Sequence, residues 1–489
     1  MSKKITCVLP MAALEELELS IKSFKAELKE VDVIVVAKEE VELSDARVIV
    51  SNASIEASQT WKHLIKEIDS PYVFIYTKDV ALNLGQYALE RMVRTCEDCN
   101  AGMVYADYYE QKEGALKAHP LIDYQEGSLR DDFNFGSLML FNANDLKDAV
   151  IAMSEDFTFA GLYDLRLRVS QKKELIHLPE LLYTELELDT RKSGEKIFDY
   201  VDPQNRSRQI EMEKACTAHL KIIGAYLEPK FKAIQFDVSN FPVEASVIIP
   251  VRNREKTIAD AIESVLKQKT KFAFNLIVVD NHSTDRTPEI IRSFASDERL
   301  IHIVPDSNDL GIGGCWNYAV ADERCGKFAI QLDSDDLYID DQVIEKVVSA
   351  FYGQNCAMVV GSYQMVNFKL EEIPPGLIDH REWTPDNGRN NALRINGLGA
   401  PRAFYTPVLR DVKVPNTSYG EDYALGLNIS RHYQIGRIYD PLYLCRRWDD
   451  NSDASLDVLK MNAHNFYKDK IRTIELKARI QYVSAGQLV

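Results

Sequence analysis

The chain has 489 residues, 46% of them hydrophobic and 27% charged, which is typical of a globular protein and excludes a disordered or fibrous one. Its 58 basic and 75 acidic residues give a formal charge of −17, so a nucleic acid is not expected as a partner. No apolar run approaches the ~20 residues that a membrane helix needs. We therefore expect a cytoplasmic protein without an integral membrane segment, whose oligomeric state stays open.

Short β-branched runs alternate with helix-length amphipathic stretches throughout the chain. Residues 246–251 and 274–280 read as strands, and residues 257–268 between them read as a helix. This alternation is typical of β-α-β units. The sequence therefore predicts the α/β class with a mainly parallel sheet.

The first half of the chain repeats the second half. The matching anchors are Pro10 with Pro250, Val36 with Val279, Trp61 with Trp316, Met103 with Met358, and Tyr183 with Tyr443. Their separation increases in one direction, as insertions would produce and chance matches would not. We predict two tandem domains, residues 1–235 and 236–455, followed by a helical tail over residues 456–489.

Two features of the first half were considered as metal sites. A predicted strand at residues 72–76 is followed by Thr77, Lys78 and Asp79, and one carboxylate beside a lysine is a poor cation site. Cys96 and Cys99 have the spacing of half a zinc site, but no second pair follows at a suitable distance. Neither feature therefore predicts a metal site.

In the second half, polar residues follow two predicted strands and could line one crevice. They are Pro250, Arg252 and Asn253 after the first strand, and Asp280 and Asn281 after the second. Taken singly, Asn253 and Asp280 are better explained as helix caps or turn residues than as ligand contacts. Gly311 precedes a predicted helix, where the lack of a side chain permits close approach of a ligand.

The third such strand ends at Leu332 and is followed by a cluster of acids, Asp333, Asp335 and Asp336, with Ser334 among them. Carboxylates this close repel one another unless a cation intervenes, and oxygen ligands suit Mg²⁺ or Mn²⁺. Such an ion would bridge to a diphosphate. The alternative is a solvated acidic turn.

These segments, together with Glu421-Asp422 and the motif Cys445-Arg-Arg-Trp448, occur in an order that resembles the inverting glycosyltransferases of family 2, which have the GT-A fold. The resemblance covers about residues 244–453. It implies a nucleotide-diphosphate sugar donor, UDP-linked in many relatives, and a glycan or glycolipid acceptor. Arg252 stands where many relatives have Tyr, so recognition of uracil is not assured.

The resemblance also implies roles for individual residues. The five crevice residues named above lie near the base and ribose of the donor. Asp333 contacts the donor, and Asp335 holds the divalent cation (Mn²⁺ or Mg²⁺) on the diphosphate. Asp422 is the general base, and Glu421 beside it is a second candidate catalytic residue. The chemistry agrees, because sugar transfer with inversion needs one carboxylate to take the proton of the acceptor hydroxyl.

Two residues of the motif at 445–448 are candidates for the same site. Arg447 could offset the charge of the leaving diphosphate, and Trp448 could stack on a sugar ring. The motif is similar to the QRRW motif of processive members such as cellulose synthases, with Cys445 in place of Gln. The alternative is a salt-bridged surface turn with a packed indole.

The first half lacks the corresponding chemistry. Aligning Tyr163 with Tyr423 places Gly161 and Leu162 opposite Glu421 and Asp422. We therefore expect a degenerate GT-A-like first domain that packs against the active one or binds acceptor. The alternative for this domain is a second, metal-independent active site. For the whole chain, the alternatives are a bifunctional polymerase that alternates two sugars, or a catalytically silent nucleotide-sugar-binding scaffold.

Overall fold

The computed structural model describes residues 5–28, 30–112, 114–189, 191, 196, 198–236, 241–448, 451 and 456–486. Two compact units share the chain. The first comprises Met1–Lys192, Ser207–Ile223 and Leu456–Thr473, and the second comprises Ser193–Arg206, Gly224–Ser455 and Ile474–Val489. The boundaries predicted at 235/236 and 455/456 stay predictions. The division into units assigns residues 224–235 to the second unit and divides the C-terminal tail between the two units.

The first unit is built on a nine-stranded mixed sheet. Its strands are β1 Ile5–Pro10, β2 Val31–Ala37, β3 Arg47–Val50, β4 Tyr72–Tyr76, β5 Leu82–Leu84, β6 Met103–Lys112, β7 Ala115–His119, β8 Leu138–Asn142 and β9 Leu175–Leu186. Their order is β3-β2-β1-β4-β8-β6-β9-β5, and β7 pairs with β6. Strands β1 to β4 run parallel, while β8 is antiparallel to β4.

The second unit repeats this sheet. Its strands are β10 Ala245–Val251, β11 Phe274–Asp280, β12 Leu300–Ile303, β13 Phe328–Gln331, β14 Leu337–Tyr338, β15 Met358–Asn367, β16 Glu372–Ile378, β17 Arg402–Tyr405 and β18 Ile435–Arg447. Their order is β12-β11-β10-β13-β17-β15-β18-β14, and β16 pairs with β15. Adding nine to each strand number of the first sheet gives the second, which confirms the predicted duplication.

Helices accompany both sheets. They are α1 Leu14–Glu27, α2 Ser58–Leu64, α3 Ala88–Cys99, α4 Ala143–Ile151, α5 Gly161–Ser170, α6 Arg206–Ile222, α7 Ile258–Leu266, α8 Thr287–Ser293, α9 Ile312–Ala321, α10 Val343–Gln354, α11 Gly388–Asn391, α12 Thr406–Val412, α13 Glu421–His432 and α14 Val458–Ser484. Short 3-10 turns lie at Asp199–Val201 and Pro203–Asn205. The α/β class is therefore as predicted.

The hydrophobic pattern explains these elements. All seven residues of β11 are buried, as expected for a central parallel strand covered on both faces. In α7 the buried residues Ile258, Ala261, Ile262 and Val265 recur every three or four positions, so one face of the helix packs inward.

The predicted helical tail is α14, whose 27 residues carry buried charges. Within the first unit, Asp469 accepts a hydrogen bond from Ser128 Oγ at 2.9 Å and pairs with Arg472 at 2.8 Å. Within the second unit, Arg479 donates to Glu475 at 2.8 Å and to Ser430 Oγ at 2.9 Å. No helix in the described part of the chain combines the length and apolar character needed to cross a membrane.

Candidate active site

The acid cluster follows β13 as predicted, and hydrogen bonds fix two of its members. The backbone N–H of Asp333 donates to Tyr443 Oη at 3.0 Å, and Gln331 Nε2 donates to Asp333 Oδ1 at 2.8 Å. Asp336 Oδ1 accepts from the backbone N–H of Arg446 at 2.7 Å. Asp336 is thus buried as a structural anchor, while Asp333 lies at the edge of the sheet.

The carboxylates act on one another. Burial raises the pKa of Asp336 well above its usual value, and the charges of Asp335 and Asp333 raise it further. Burial also raises the pKa of Asp333, and the charge of Asp335 adds to this despite the opposing effect of Arg402. A cation placed among these oxygens would relieve that repulsion.

Asp335 has the contacts expected of an available ligand. Its side chain is 15% exposed, and its Oδ2 accepts long hydrogen bonds from Trp448 Nε1 at 3.4 Å and Asn451 Nδ2 at 3.2 Å. Arg254 Nε lies 3.9 Å from the same oxygen. Among the described residues no three His, Cys, Asp or Glu side chains surround one point, so a cation here would take most of its ligands from the donor and water.

The predicted base lies on the same side of the sheet. Asp422 is in the first turn of α13, and its Oδ2 is 3.1 Å from Arg402 Nη1. Arg402 begins β17, and its backbone N–H donates to Gln331 Oε1 at 3.1 Å. Because Gln331 also holds Asp333, one arginine and one glutamine connect Asp333 with Asp422.

The charge of Arg402 is stabilised from both sides. Burial would lower the pKa of its guanidinium, but the charges of Asp422 and Asp333 outweigh burial and raise it. Arg402 Nη1 also donates to the carbonyl of Gly399 at 2.7 Å, which fixes its direction. The arginine therefore remains a cation between two carboxylates that would otherwise repel each other.

Glu421 differs from its neighbour Asp422. Its side chain is buried, and within the described part of the chain its Oε2 has no hydrogen-bond partner. Burial and then the charge of Asp422 raise the pKa of Glu421 to about 8. Glu421 is thus protonated at neutral pH, which leaves Asp422 as the carboxylate paired with Arg402.

The strand-end residues form a hydrogen-bonded crevice wall. Buried Asp280 accepts from the backbone N–H of Ser283 at 2.9 Å and lies 3.5 Å from His302 Nε2. Burial would raise its pKa, but the nearby His302 imidazole and the hydrogen bonds from Ser283 lower it. Asn253 Oδ1 accepts from the backbone N–H of Thr284 at 2.8 Å. The Asp280 contact is a local turn contact, whereas Asn253 bonds to the segment after β11 and caps no helix in the described part of the chain.

The remaining wall residues differ in their freedom. Asn281 Nδ2 donates to the carbonyl of Leu310 at 2.8 Å, while its buried Oδ1 has no partner among the described residues. Pro250 is half-buried in β10, and Arg252 is exposed. Asn281 therefore presents an unused acceptor, and Arg252 a free-standing charge, at the carboxyl ends of β10 and β11.

Gly311 is explained locally by packing. Its backbone N–H donates to Asn416 Oδ1 at 2.7 Å, and a Cβ atom at Gly311 would lie 2.6 Å from the backbone of Thr417. The missing side chain thus lets the start of α9 approach residues 415–417. A ligand contact at Gly311 stays a prediction, as does one at Ser334, which is buried.

The motif after Cys445 reaches the acid cluster. The indole of Trp448 lies against Phe368, with ring centroids 5.4 Å apart, and its Nε1 meets Asp335. The Arg447 guanidinium lies over Phe198, 5.2 Å from the ring centroid. Trp448 is thus placed at the predicted cation ligand, whereas the Arg447 guanidinium stacks on an aromatic side chain.

The sequence alone did not assign to this site Arg254, Gln331, Arg402, Tyr443 and Arg446. Tyr443 served only as an anchor of the repeat, and Arg254 and Arg446 each adjoin a residue that was chosen. Arg402 belongs to no linear motif, because only the antiparallel pairing of β17 with β13 brings it to the cluster.

Comparisons with known proteins identify the family to which the second unit belongs. The profile of Glycosyl transferase family 2 matches residues 246–408, all within the second unit. The chain is 35% identical over 196 residues to UDP-Glc:alpha-D-GlcNAc-diphosphoundecaprenol beta-1,3-glucosyltransferase WfgD of Escherichia coli, covering 40% of this chain and 72% of WfgD.

A second relative is poly(ribitol-phosphate) beta-N-acetylglucosaminyltransferase TarS of Staphylococcus aureus, 29% identical over 167 residues. That match covers 34% of this chain, which spans only 28% of TarS. The crystal structure of S. aureus TarS 1-349 in complex with UDP-GlcNAc aligns with a TM-score of 0.37 at 22% identity, covering 48% of this chain and 72% of that one. By its relationship to WfgD and the family profile, the chain belongs to glycosyltransferase family 2, and its two repeated sheets are tandem GT-A domains.

Proposed function

We propose that the second domain transfers a sugar from a UDP-linked donor to a hydroxyl of a glycan or glycolipid acceptor, with inversion in a single displacement. The observation that carries the proposal is the position of Arg402 between Asp333 and Asp422. It joins the residue expected to contact the donor with the residue expected to activate the acceptor.

In this proposal Asp422 takes the proton of the acceptor hydroxyl as that oxygen attacks the anomeric carbon. Arg402 holds the Asp422 carboxylate in place. Glu421, protonated at neutral pH, adds no second charge beside it. One carboxylate is thus available as base, which is what inversion requires.

The donor diphosphate would lie near Asp333 and Asp335. The donor set fits Mn²⁺ or Mg²⁺, because crowded carboxylate oxygens stabilise a hard cation and Asp335 keeps its Oδ2 weakly bonded. Such a cation, when bound, neutralises charge on the leaving diphosphate. Arg254, near Asp335, and Arg447 would add positive charge there, while Trp448 would pack against a sugar ring.

The uridine would occupy the crevice wall formed by Pro250, Arg252, Asn253, Asp280 and Asn281. The unpartnered Oδ1 of Asn281 supports this, because a buried acceptor without a donor costs free energy that a ligand N–H would recover. The relative WfgD is named for a UDP-Glc donor and a diphosphoundecaprenol acceptor. That name favours UDP and a glycolipid for this chain.

A thermal-shift panel of nucleotide sugars with and without Mn²⁺ tests the proposal. We expect stabilisation by a UDP-sugar that depends on the cation and disappears in Asp335→Ala. Asp422→Asn should retain this stabilisation but lose sugar transfer, and the product of the wild type should have the inverted anomeric configuration by NMR. A retained configuration, or undiminished transfer by Asp422→Asn, would refute the mechanism.

A further inference from the structure

A cavity of about 440 Å³ lies in the second unit, between α7, the segment after the acid cluster and the turn between β15 and β16. Its volume is within the range of roughly 300–1,000 Å³ found for small-molecule sites. Its lining consists of Asp260, Glu263, Ser264, Lys267, Leu337, Tyr338, Ile339, Asp340, Asp341, Phe368, Leu370 and Arg446. Apart from Arg446, and Phe368 that packs against Trp448, none of these residues belongs to the donor site described above.

Arg446 contributes a buried guanidinium with one unused donor to the lining. Only 2% of the residue is exposed, its Nε donates to the carbonyl of Asp335, and its Nη1 pairs with Asp260 at 2.8 Å. Within the described part of the chain its Nη2 has no hydrogen-bond partner. Since an unsatisfied buried N–H is costly, this group favours a ligand with an oxygen acceptor.

The cavity is nevertheless close to neutral, because each of its four carboxylates has a cation beside it. The pairs are Asp260 with Arg446 at 2.8 Å, Glu263 with Lys267 at 2.9 Å, Asp340 with Lys346 at 2.6 Å, and Asp341 with Lys269 at 2.7 Å. Neither a strongly anionic nor a strongly cationic ligand is favoured by such a lining. A neutral ligand with many hydroxyl groups could use both the acceptors and the donors.

Apolar side chains complete the lining. Phe368 and Leu370 are 43% and 47% exposed, and Tyr338 and the flanking residues of β14 add further apolar surface. An aromatic ring among carboxylates, a hydroxyl and a guanidinium suits a sugar ring, which has an apolar C–H face and polar edges. We propose that this cavity binds a neutral mono- or disaccharide unit of the acceptor or product glycan, remote from the point of transfer.

The inference deepens the proposed function and rests on its glycan acceptor. Arg446 supplies the physical connection, because the same guanidinium that lines the cavity also holds the carbonyl of Asp335. A glycan seated there would be retained next to the donor site after transfer. The cavity would then favour repeated extension of one chain over release after each addition.

The test uses the full chain and saturation-transfer NMR with laminaribiose and chitobiose as neutral probes, and sulfate and spermidine as charged competitors. Titration to about 20 mM covers weak millimolar affinities. Ser264→Trp should fill the cavity and weaken disaccharide binding about tenfold or more. Ala259→Trp, on the same helix but outside the lining, is the matched control and should bind as the wild type does.

Binding of UDP, measured in the same samples, separates this inference from the proposed function. Loss of disaccharide binding in Ser264→Trp with UDP binding intact supports the cavity as a glycan site. The inference is overturned if neither disaccharide binds, if Ser264→Trp binds them normally, or if spermidine or sulfate displaces them. Failure of UDP to bind the wild type would instead refute the donor assignment.

Discussion

The two domains share a sheet and differ at its functional edge. By the register of β4 on β1 and of β13 on β10, Thr77 is at the position equivalent to Asp333, and Asp79 is at the position equivalent to Asp335. The pairing of β8 with β4 and of β17 with β13 likewise places Met139 where Arg402 stands. The first domain thus keeps a carboxylate at the position of Asp335 but has uncharged residues at the positions of Asp333 and Arg402.

At this edge the first domain has an ion pair between its own side chains. Lys78, opposite Ser334, lies 2.7 Å from Glu185, and Ser137 donates to the same carboxylate. The scaffold tyrosines are kept: Tyr183 Oη accepts from the backbone N–H of Ser137 at 3.0 Å, as Tyr443 does from Asp333. The comparison shows that the tyrosine that binds the backbone is present in both copies, whereas the charges at the positions of Asp333 and Arg402 are not.

The largest effect is expected from equivalent aspartates. Asp335→Asn should lower kcat/KM by about 10³-fold, since it removes the carboxylate expected to hold the cation that offsets charge on the diphosphate. Asp79→Asn, at the equivalent position of the first domain, should change it less than about twofold if that domain is not catalytic. A large loss in Asp79→Asn would show that both domains take part in transfer.

A second substitution gives the second domain the residue that the first domain has at the equivalent position. Arg402→Met should lower kcat/KM by about 10²-fold, because Asp333 and Asp422 lose the cation between them. Arg402→Lys should recover part of the activity through its charge, and Met139→Leu should have no effect. Circular dichroism and the KM for donor separate a local electrostatic effect from misfolding. Activity near the wild-type value in Arg402→Met would refute the positioning role.

Stability should report the unusual protonation of Glu421. The pKa of Glu421 is about 8 in the folded chain and 4.5 in the unfolded chain, so the folded state holds the proton more tightly. The free energy of unfolding therefore falls as the pH rises from about 4.5 to 8. Glu421→Gln should remove this loss, at most about 1.4 kcal/mol for each unit of the pKa difference. Urea unfolding at several pH values measures it, with exposed Glu371→Gln as control. Parallel pH profiles for Glu421→Gln and wild type would contradict the prediction.

The sequence predicts the fold well because its signals are local and repeated. Buried parallel strands such as β11 are apolar throughout, and the anchors Pro10 and Pro250 occupy equivalent positions in β1 and β10. The acid cluster was found because a strand end followed by carboxylates is visible in one dimension. The predicted alignment of Gly161 with Glu421 also agrees with the structure, because α5 begins at Gly161 and α13 begins at Glu421.

The rest of the site depends on pairings that no linear motif records. Arg402 reaches the acid cluster because its strand, about 70 residues later in the chain, pairs antiparallel with β13. Gln331 gives no signal in the sequence because it belongs to an apolar strand. The cavity beside Arg446 needs three separate segments to close.

The smallest expected effect concerns the ion pair of the first domain. Lys78→Met leaves Glu185, whose side chain is 3% exposed, with a hydroxyl partner but without its nearest cation, and should destabilise the chain by about 1–2 kcal/mol without changing kcat/KM. Lys62→Met removes an exposed pair with Asp156 in the same domain and should cost less than about 0.5 kcal/mol. If Lys78→Met instead left stability unchanged and reduced transfer, the first domain would be using this lysine on a substrate, and the replacement of its carboxylates would mark a different binding site rather than a lost one.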